Sequence, residues 1–173
     1  MQSSIVAVPL SRKDIRDYAR QIRRFANLEN EYCFPILEFV ENVLPVRFDD
    51  FVLEVCSCDE MGDCHGRALP EQSLIKIRED IYERAYNGEG RDRLTIAHEL
   101  GHFLLHRPGK VSLARIPRGI AVPAYKDPEW QATAFAAELL MPANLIGGLS
   151  IYDISILCGV SLSAAQIQKR KIS

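Results

Sequence analysis

Apolar and polar positions alternate with a helical period at the start of the chain. Ser11 opens a segment in which Ile15, Tyr18, Ala19, Ile22 and Phe25 share one face and most of the arginines take the other. Pro35 suits the first turn of a second, shorter helix carrying Ile36, Phe39, Val40 and Val43. The texture then changes: FVLEV (51–55), GRAL (66–69) and SLIKI (73–77) read as short strands between turn-rich segments. Helical spacing returns from Arg91 to His106 and is stopped by Pro108-Gly109. Residues 107–127 carry Pro108, Pro117 and Pro123 without periodicity, a connection long enough to be functional or disordered. Asp127-Pro128 supplies an N-cap and first helical residue for a helix running to Met141, before Pro142. Ser150 and Ser161 cap two final helices with Gly159 between them. Helices, then strands, then helices predict an α+β domain.

The composition fits that picture. The chain has 173 residues, 47% hydrophobic and 25% charged, enough for one domain, 1–173, with a core of its own. Its parts are N-terminal helices over 1–45, strands over 51–77, two helices with an intervening loop over 91–142, and C-terminal helices over 150–173. A net charge of -2 argues against nucleic acid or an anionic membrane as the main partner. Charge is uneven, however: basic over residues 11–24 and acidic from Glu29 to Asp63, the usual mark of solvated faces. IVAVPL is too short for a signal core, and the apolar stretch from Ala132 to Leu149 is broken by Glu138, Pro142 and Gly147-Gly148. With five irregularly spaced cysteines, these features place the chain in a reducing cytoplasm with free thiols.

The candidate chemistry lies in AHELGHFLLH (97–106). Residues four apart on a helix lie on nearly one face, about 6 Å apart along the axis, so His98 and His102 can converge on one metal ion. Glu99 then lies alongside, placed to act as general base on a water at the metal. A catalytic zinc takes three protein ligands, so one more is needed. His106 is eight residues from His98, roughly 12 Å along the same helix, which is too far; it reads instead as a helix-end imidazole near the C-terminal dipole. Downstream lie Asp127, Glu129, Glu138 and Asp153. Asp127 is the N-cap. Glu129 and Glu138 point to opposite sides of one helix at about 100° per residue, so only one can face the metal. Glu129 shares its face with Ala132, Thr133 and Ala136, and Gly101 on the catalytic helix permits the same close approach. Glu129 is the expected third ligand and Glu138 an outer-face or loop contact.

RDRLTIAHELGHFLLH (91–106) followed by EWQATAFAAELLMP (129–142) resembles the ImmA/IrrE metallopeptidases of bacteria and mobile elements, and LCGVSLSAAQIQKR (157–170) is similar to that family's closing helices. The resemblance implies a compact zincin fold related to thermolysin: a small, mostly antiparallel sheet packed against the HExxH helix and further helices. It implies one Zn2+ per chain on His98, His102 and Glu129, with Glu99 as general base. It also implies a protein substrate, since characterised members cut a lambda-repressor-like helix-turn-helix repressor, often encoded nearby, and so switch genes on. Thr133 stands where the family usually has Asn, and Gln131 replaces a frequent acid.

Three features point elsewhere or stay open. Tyr125 and Tyr152 are both candidates to stabilise an oxyanion. Cys56, Cys58, Cys64 and His65 match no usual zinc module and read as a turn with free thiols, with redox sensing as the alternative. Residues 153–171 have helix-turn-helix spacing, which would make the chain a DNA-binding regulator; two packed terminal helices are the simpler reading. A zinc protein that binds its partner without cutting it is a third class.

Overall fold

The computed structural model describes residues 2–116 and 120–172. Strand β1 (Gln2–Ala7) leads into α1 (Arg12–Phe25), which Ser11 starts with a full capping box closed by Asp14. The Pro35 segment is helical in three pieces: α2 (Ile36–Glu38), a π turn over Phe39–Val43, and α3 (Leu44–Arg47). Strand β2 (Val52–Cys56), the short α4 (Cys58–Met61), β3 (Gly66–Leu69) and β4 (Leu74–Arg78) follow, then α5 (Glu79–Tyr86) and the long α6 (Gly90–Leu105). After β5 (Val111–Ile116) come α7 (Pro128–Leu140), α8 (Ala143–Ile146), α9 (Ile151–Cys158) and α10 (Leu162–Ile172). The fold is α+β. Among the described residues no helix is long and apolar enough to cross a membrane.

Two small sheets form rather than one. β1 pairs antiparallel with β5, and a mixed sheet of order β2-β4-β3 is parallel at β2–β4 and antiparallel at β3–β4. Two of the three pairings are antiparallel, as expected; the parallel one arises because β3 lies at the far edge and the chain re-enters beside β2 in the same direction. β5 lies inside the stretch read from sequence as an irregular connection. Neither β1 nor α5 was anticipated, and Pro117 of that stretch lies outside the described residues.

The core centres on α6. Phe103 is fully buried, with Phe48 and Phe51 set edge-on at 5.4 and 5.0 Å between ring centres. α7 lies directly against α6 because Gly101 has no side chain; a Cβ there would meet the Ala132 backbone at 3.1 Å and the Phe135 ring at 3.0 Å. Any side chain at 101 would push the two helices apart.

α7 is covered on its other side by α1, which corrects two expectations. Glu138 is not an outer-face contact: it is 2% exposed and accepts from Arg12 at 3.0 Å and from Arg16 at 3.0 and 3.2 Å. A carboxylate buried on an apolar helix needs such partners. Nor are the arginines of α1 simply a solvated face. Arg23 is buried and donates to the carbonyls of Leu139 and Glu31, while Arg20 and Arg24 hold Glu29. The basic and acidic segments are partly each other's partners.

Arg93 joins α6 to both ends of the chain. It is 7% exposed and donates to the carbonyls of Phe34 at 2.7 Å, Gly159 at 2.7 Å and Cys158 at 3.2 Å. Arg93→Met keeps most of the apolar stem but leaves these acceptors without their charged donor. The expected cost is on the order of 3–5 kcal/mol, read from urea unfolding. A loss below about 1 kcal/mol would mean the three carbonyls find other donors.

Candidate active site

Helix spacing places His98 and His102 one turn apart on α6, facing the start of α7. There Asp127 caps the helix, its Oδ1 accepting from the Glu129 N–H at 3.0 Å, and Pro128 fixes the first turn. Glu129 is thereby held over the two imidazoles. The Nε2 atoms of His98 and His102 are 3.0 Å apart; Glu129 Oε2 lies 3.2 Å from the first and Oε1 3.2 Å from the second. These three residues, all named by the sequence reading, form a group able to hold a metal ion.

The donor set fits zinc chemically. Four ligands placed tetrahedrally at bonds of about 2.0–2.1 Å lie about 3.3 Å from one another, close to the separations seen here. The imidazoles are held in the form a metal needs. Burial pushes His98 below its ordinary value, and burial with the His98 neighbour pushes His102 down to about 4. Two neutral imidazoles and a carboxylate therefore meet at one point, and a cation between them is the natural complement.

Glu99 is on the same turn and lines the same cleft. It is 8% exposed, and its Oε2 accepts from the Ala68 N–H of β3 at 2.8 Å. Gly66 makes this approach possible, since a Cβ there would meet Glu99 Cγ at 2.7 Å. Burial raises the Glu99 carboxyl to about 7, against the lowering effect of the Ala68 bond. A carboxyl poised near neutrality in a cleft is suited to proton transfer. The cleft has a volume of about 660 Å³, with Ser4 and Ile5 of β1 and Gly66, Arg67 and Ala68 of β3 on its walls.

His106 departs from its expected role. It is the C-cap of α6, its backbone N–H bonding to His102 O, but its ring turns inward and is 7% exposed. Burial lowers its pKa as well, so it does not act as a cation on the helix dipole. Its Nδ1 lies 2.9 Å from His102 Nδ1 and its Nε2 2.9 Å from Oε1 of the fully buried Gln131. The sequence reading missed this pair. The available signal was a third histidine at the same four-residue spacing and a lone amide in an otherwise apolar helix. Thr133 Oγ1 lies 3.3 Å from His98 Nδ1, so the departure from Asn keeps a hydrogen-bonding partner there.

The remaining candidates lie elsewhere. Neither Tyr125 nor Tyr152 is among the residues lining the cleft; both side chains are about half exposed or more, at 48% and 65%. Among the lining residues Arg67 carries the positive charge. Among the described residues Cys56, Cys58, Cys64 and His65 do not gather into one ligand group. Cys56 is buried, and the Cys64 thiol donates to Gly66 O at 3.0 Å. The donor atoms of Glu54, Cys56 and Glu60 do gather, but Lys76 already bonds both carboxylates at 3.3 and 3.0 Å. The helix-turn-helix segment packs one face against the rest of the chain: Gln168 of α10 is 1% exposed and bonds Arg12 and the carbonyl of Met141.

No curated protein is similar enough to the chain to count as a match. The Peptidase M78 family, described as the IrrE N-terminal-like domain, matches residues 59–150, a span that contains His98, Glu99, His102, Glu129 and the β3 wall of the cleft, though not β1. With more than half its length matched and its His-His-Glu group and adjacent Glu99 on that span, the chain belongs to this metallopeptidase family.

Proposed function

We propose that the chain is a zinc-dependent endopeptidase that cuts a lambda-repressor-like transcriptional repressor and thereby releases the genes it controls. The observation that carries the catalytic half is the meeting of His98, His102 and Glu129 beside a buried Glu99 in one cleft. The substrate half rests on the resemblance to the ImmA/IrrE metallopeptidases.

In this reading His98, His102 and Glu129 hold the ion and Glu99 is the general base. Zinc bound there supplies Lewis acidity toward a peptide carbonyl and lowers the pKa of a water toward neutrality. Glu99 takes up a proton at its carboxylate and returns it to the leaving amine nitrogen. Its Oε2 is tied to Ala68, so proton exchange falls to Oε1. Of the two edges of the mixed sheet, β3 is the one on the cleft, and an extended peptide laid along it would bring backbone to the site. Arg67 on that strand is the available cation for a developing oxyanion. The acidic stretch from Glu29 to Asp63 adds a surface for a basic DNA-binding protein, although Glu29, Glu54 and Glu60 are already paired within the chain.

The test is to incubate the zinc-reloaded protein with the repressor encoded beside it and to follow the mixture by mass spectrometry. A single cut that disappears on chelation and returns with zinc is expected. An intact repressor under both conditions would remove the proposed substrate, and tight DNA binding by this chain alone would favour a regulator instead.

A further inference from the structure

Gln131 sits two residues beyond Glu129 on α7 and is fully buried. Its amide Nε2 lies 2.9 Å from two backbone carbonyls, those of Val8 and Tyr125. Carbonyl oxygens only accept, so the amide nitrogen must face them and both of its N–H groups are used. The amide oxygen is therefore the atom that faces His106 Nε2 at 2.9 Å, and that ring nitrogen must carry the proton. A neutral imidazole has one N–H. His106 Nδ1 is left with a lone pair, 2.9 Å from His102 Nδ1, which then has to be the donor. The consequence reaches the metal group: His102 Nε2 is the nitrogen without a proton, and it faces His98 Nε2 and Glu129 Oε1.

We propose that His106 and Gln131 are positioning residues that fix the tautomer and ring orientation of His102, presenting its Nε2 lone pair before a metal arrives. The inference rests on the reading of His98, His102 and Glu129 as the metal group. It is specific to one of the two histidines. The partner of His98 Nδ1 is the Thr133 hydroxyl at 3.3 Å, which can donate or accept and so imposes no tautomer. The relay also has fixed ends, because Val8 follows β1 and Tyr125 belongs to a 3-10 turn, Ala124–Lys126, just before α7. Both are backbone carbonyls, which no side-chain rearrangement can reverse. A neutral histidine free in water favours a proton on Nε2, the wrong nitrogen for this site. A ligand preset on Nδ1–H avoids that rearrangement on binding, as outer hydrogen-bonding partners of metal histidines generally do.

The experiment begins with metal-free wild-type protein labelled with 15N at histidine, near neutral pH. Long-range proton–nitrogen NMR should show His102 protonated on Nδ1 and His106 on Nε2. His106→Leu should move the His102 proton largely to Nε2 and weaken zinc by about 10–100-fold in chelator competition. His106→Gln, whose amide oxygen can accept from His102 Nδ1–H, should recover much of that loss. Unfolding of each metal-free variant separates these effects from damage to the fold. Wild-type protein with His106 protonated on Nδ1, or His106→Leu holding zinc within about twofold of wild type, overturns the relay. Equal loss in the Leu and Gln variants with unchanged metal-free stability overturns it too. If His106→Leu does not fold, the wild-type tautomers decide. A wild type that binds no zinc would end the metal reading instead, while the tautomers of the metal-free protein still judge the relay.

Discussion

Glu129→Ala is expected to give a folded protein that no longer retains stoichiometric zinc. The side chain of Glu129 is 73% exposed, and the helix cap beneath it uses only its backbone N–H. Surface replacements away from such features usually change stability by no more than about 0.5 kcal/mol. The metal group, by contrast, falls from three donors to two imidazoles, below the three protein ligands of a catalytic zinc. The loss in affinity should therefore exceed the roughly 10–100-fold cost of removing an outer hydrogen-bonding partner. Metal analysis after chelation and zinc reloading measures it. One zinc per chain on Glu129→Ala would show that another group supplies the third ligand, and Asp127, which also lines the cleft, would be the next to replace.

That Glu129 could be named from sequence, while the partner of Glu138 could not, follows from the range of the interactions. His98, Glu99 and His102 are related by helical spacing alone, and Glu129 was separated from Glu138 by the same rotation per residue. Caps are local as well: Ser11, Asp127 and Ser150 all cap where expected, each accepting from a backbone N–H within three residues. Apart from the short α5, the failures are long-range. Glu138 is held by arginines 122 and 126 positions away, so its burial is visible only once α1 lies on α7. β1 and β5 are strands because they pair with each other, from Gln2 with Ile116 to Ala7 with Val111. In β1 the apolar Ile5 is 60% exposed, so its burial does not mark a strand. His106 was misplaced for the same reason. Its ring is aimed by Gln131 on another helix, and helix position alone favoured the dipole.

Glu99→Gln should stop cleavage while sparing both metal and fold. The substitution removes the proton acceptor but no member of the His98, His102 and Glu129 group, and the Gln carbonyl can still accept from the Ala68 N–H. Loss of a positioned general base typically costs about 10²–10⁴ in rate. Against a substrate that the wild type cuts, the variant should fall by that factor with zinc content unchanged; a comparable rate would remove Glu99 from the mechanism. The metal-free protein supplies a second, independent reading. The folded-state pKa of Glu99 is raised to about 7 from an ordinary value of 4.5, so this group stabilises the fold fully below pH 4.5 and loses that contribution as pH rises through about 7. His98, His102 and His106 are all depressed from 6.5, and their contribution has the opposite sense: present above 6.5 and lost as pH falls through each lowered value, about 4 for His102. Between pH 4.5 and 6.5 the two effects oppose, with the histidines prevailing by number, so the melting temperature should climb with pH. Glu99→Gln deletes the opposing group and should make that climb steeper. A slope unchanged from wild type would mean that the Glu99 carboxyl is already ionised across this range, and the proton-transfer role would then need a different origin.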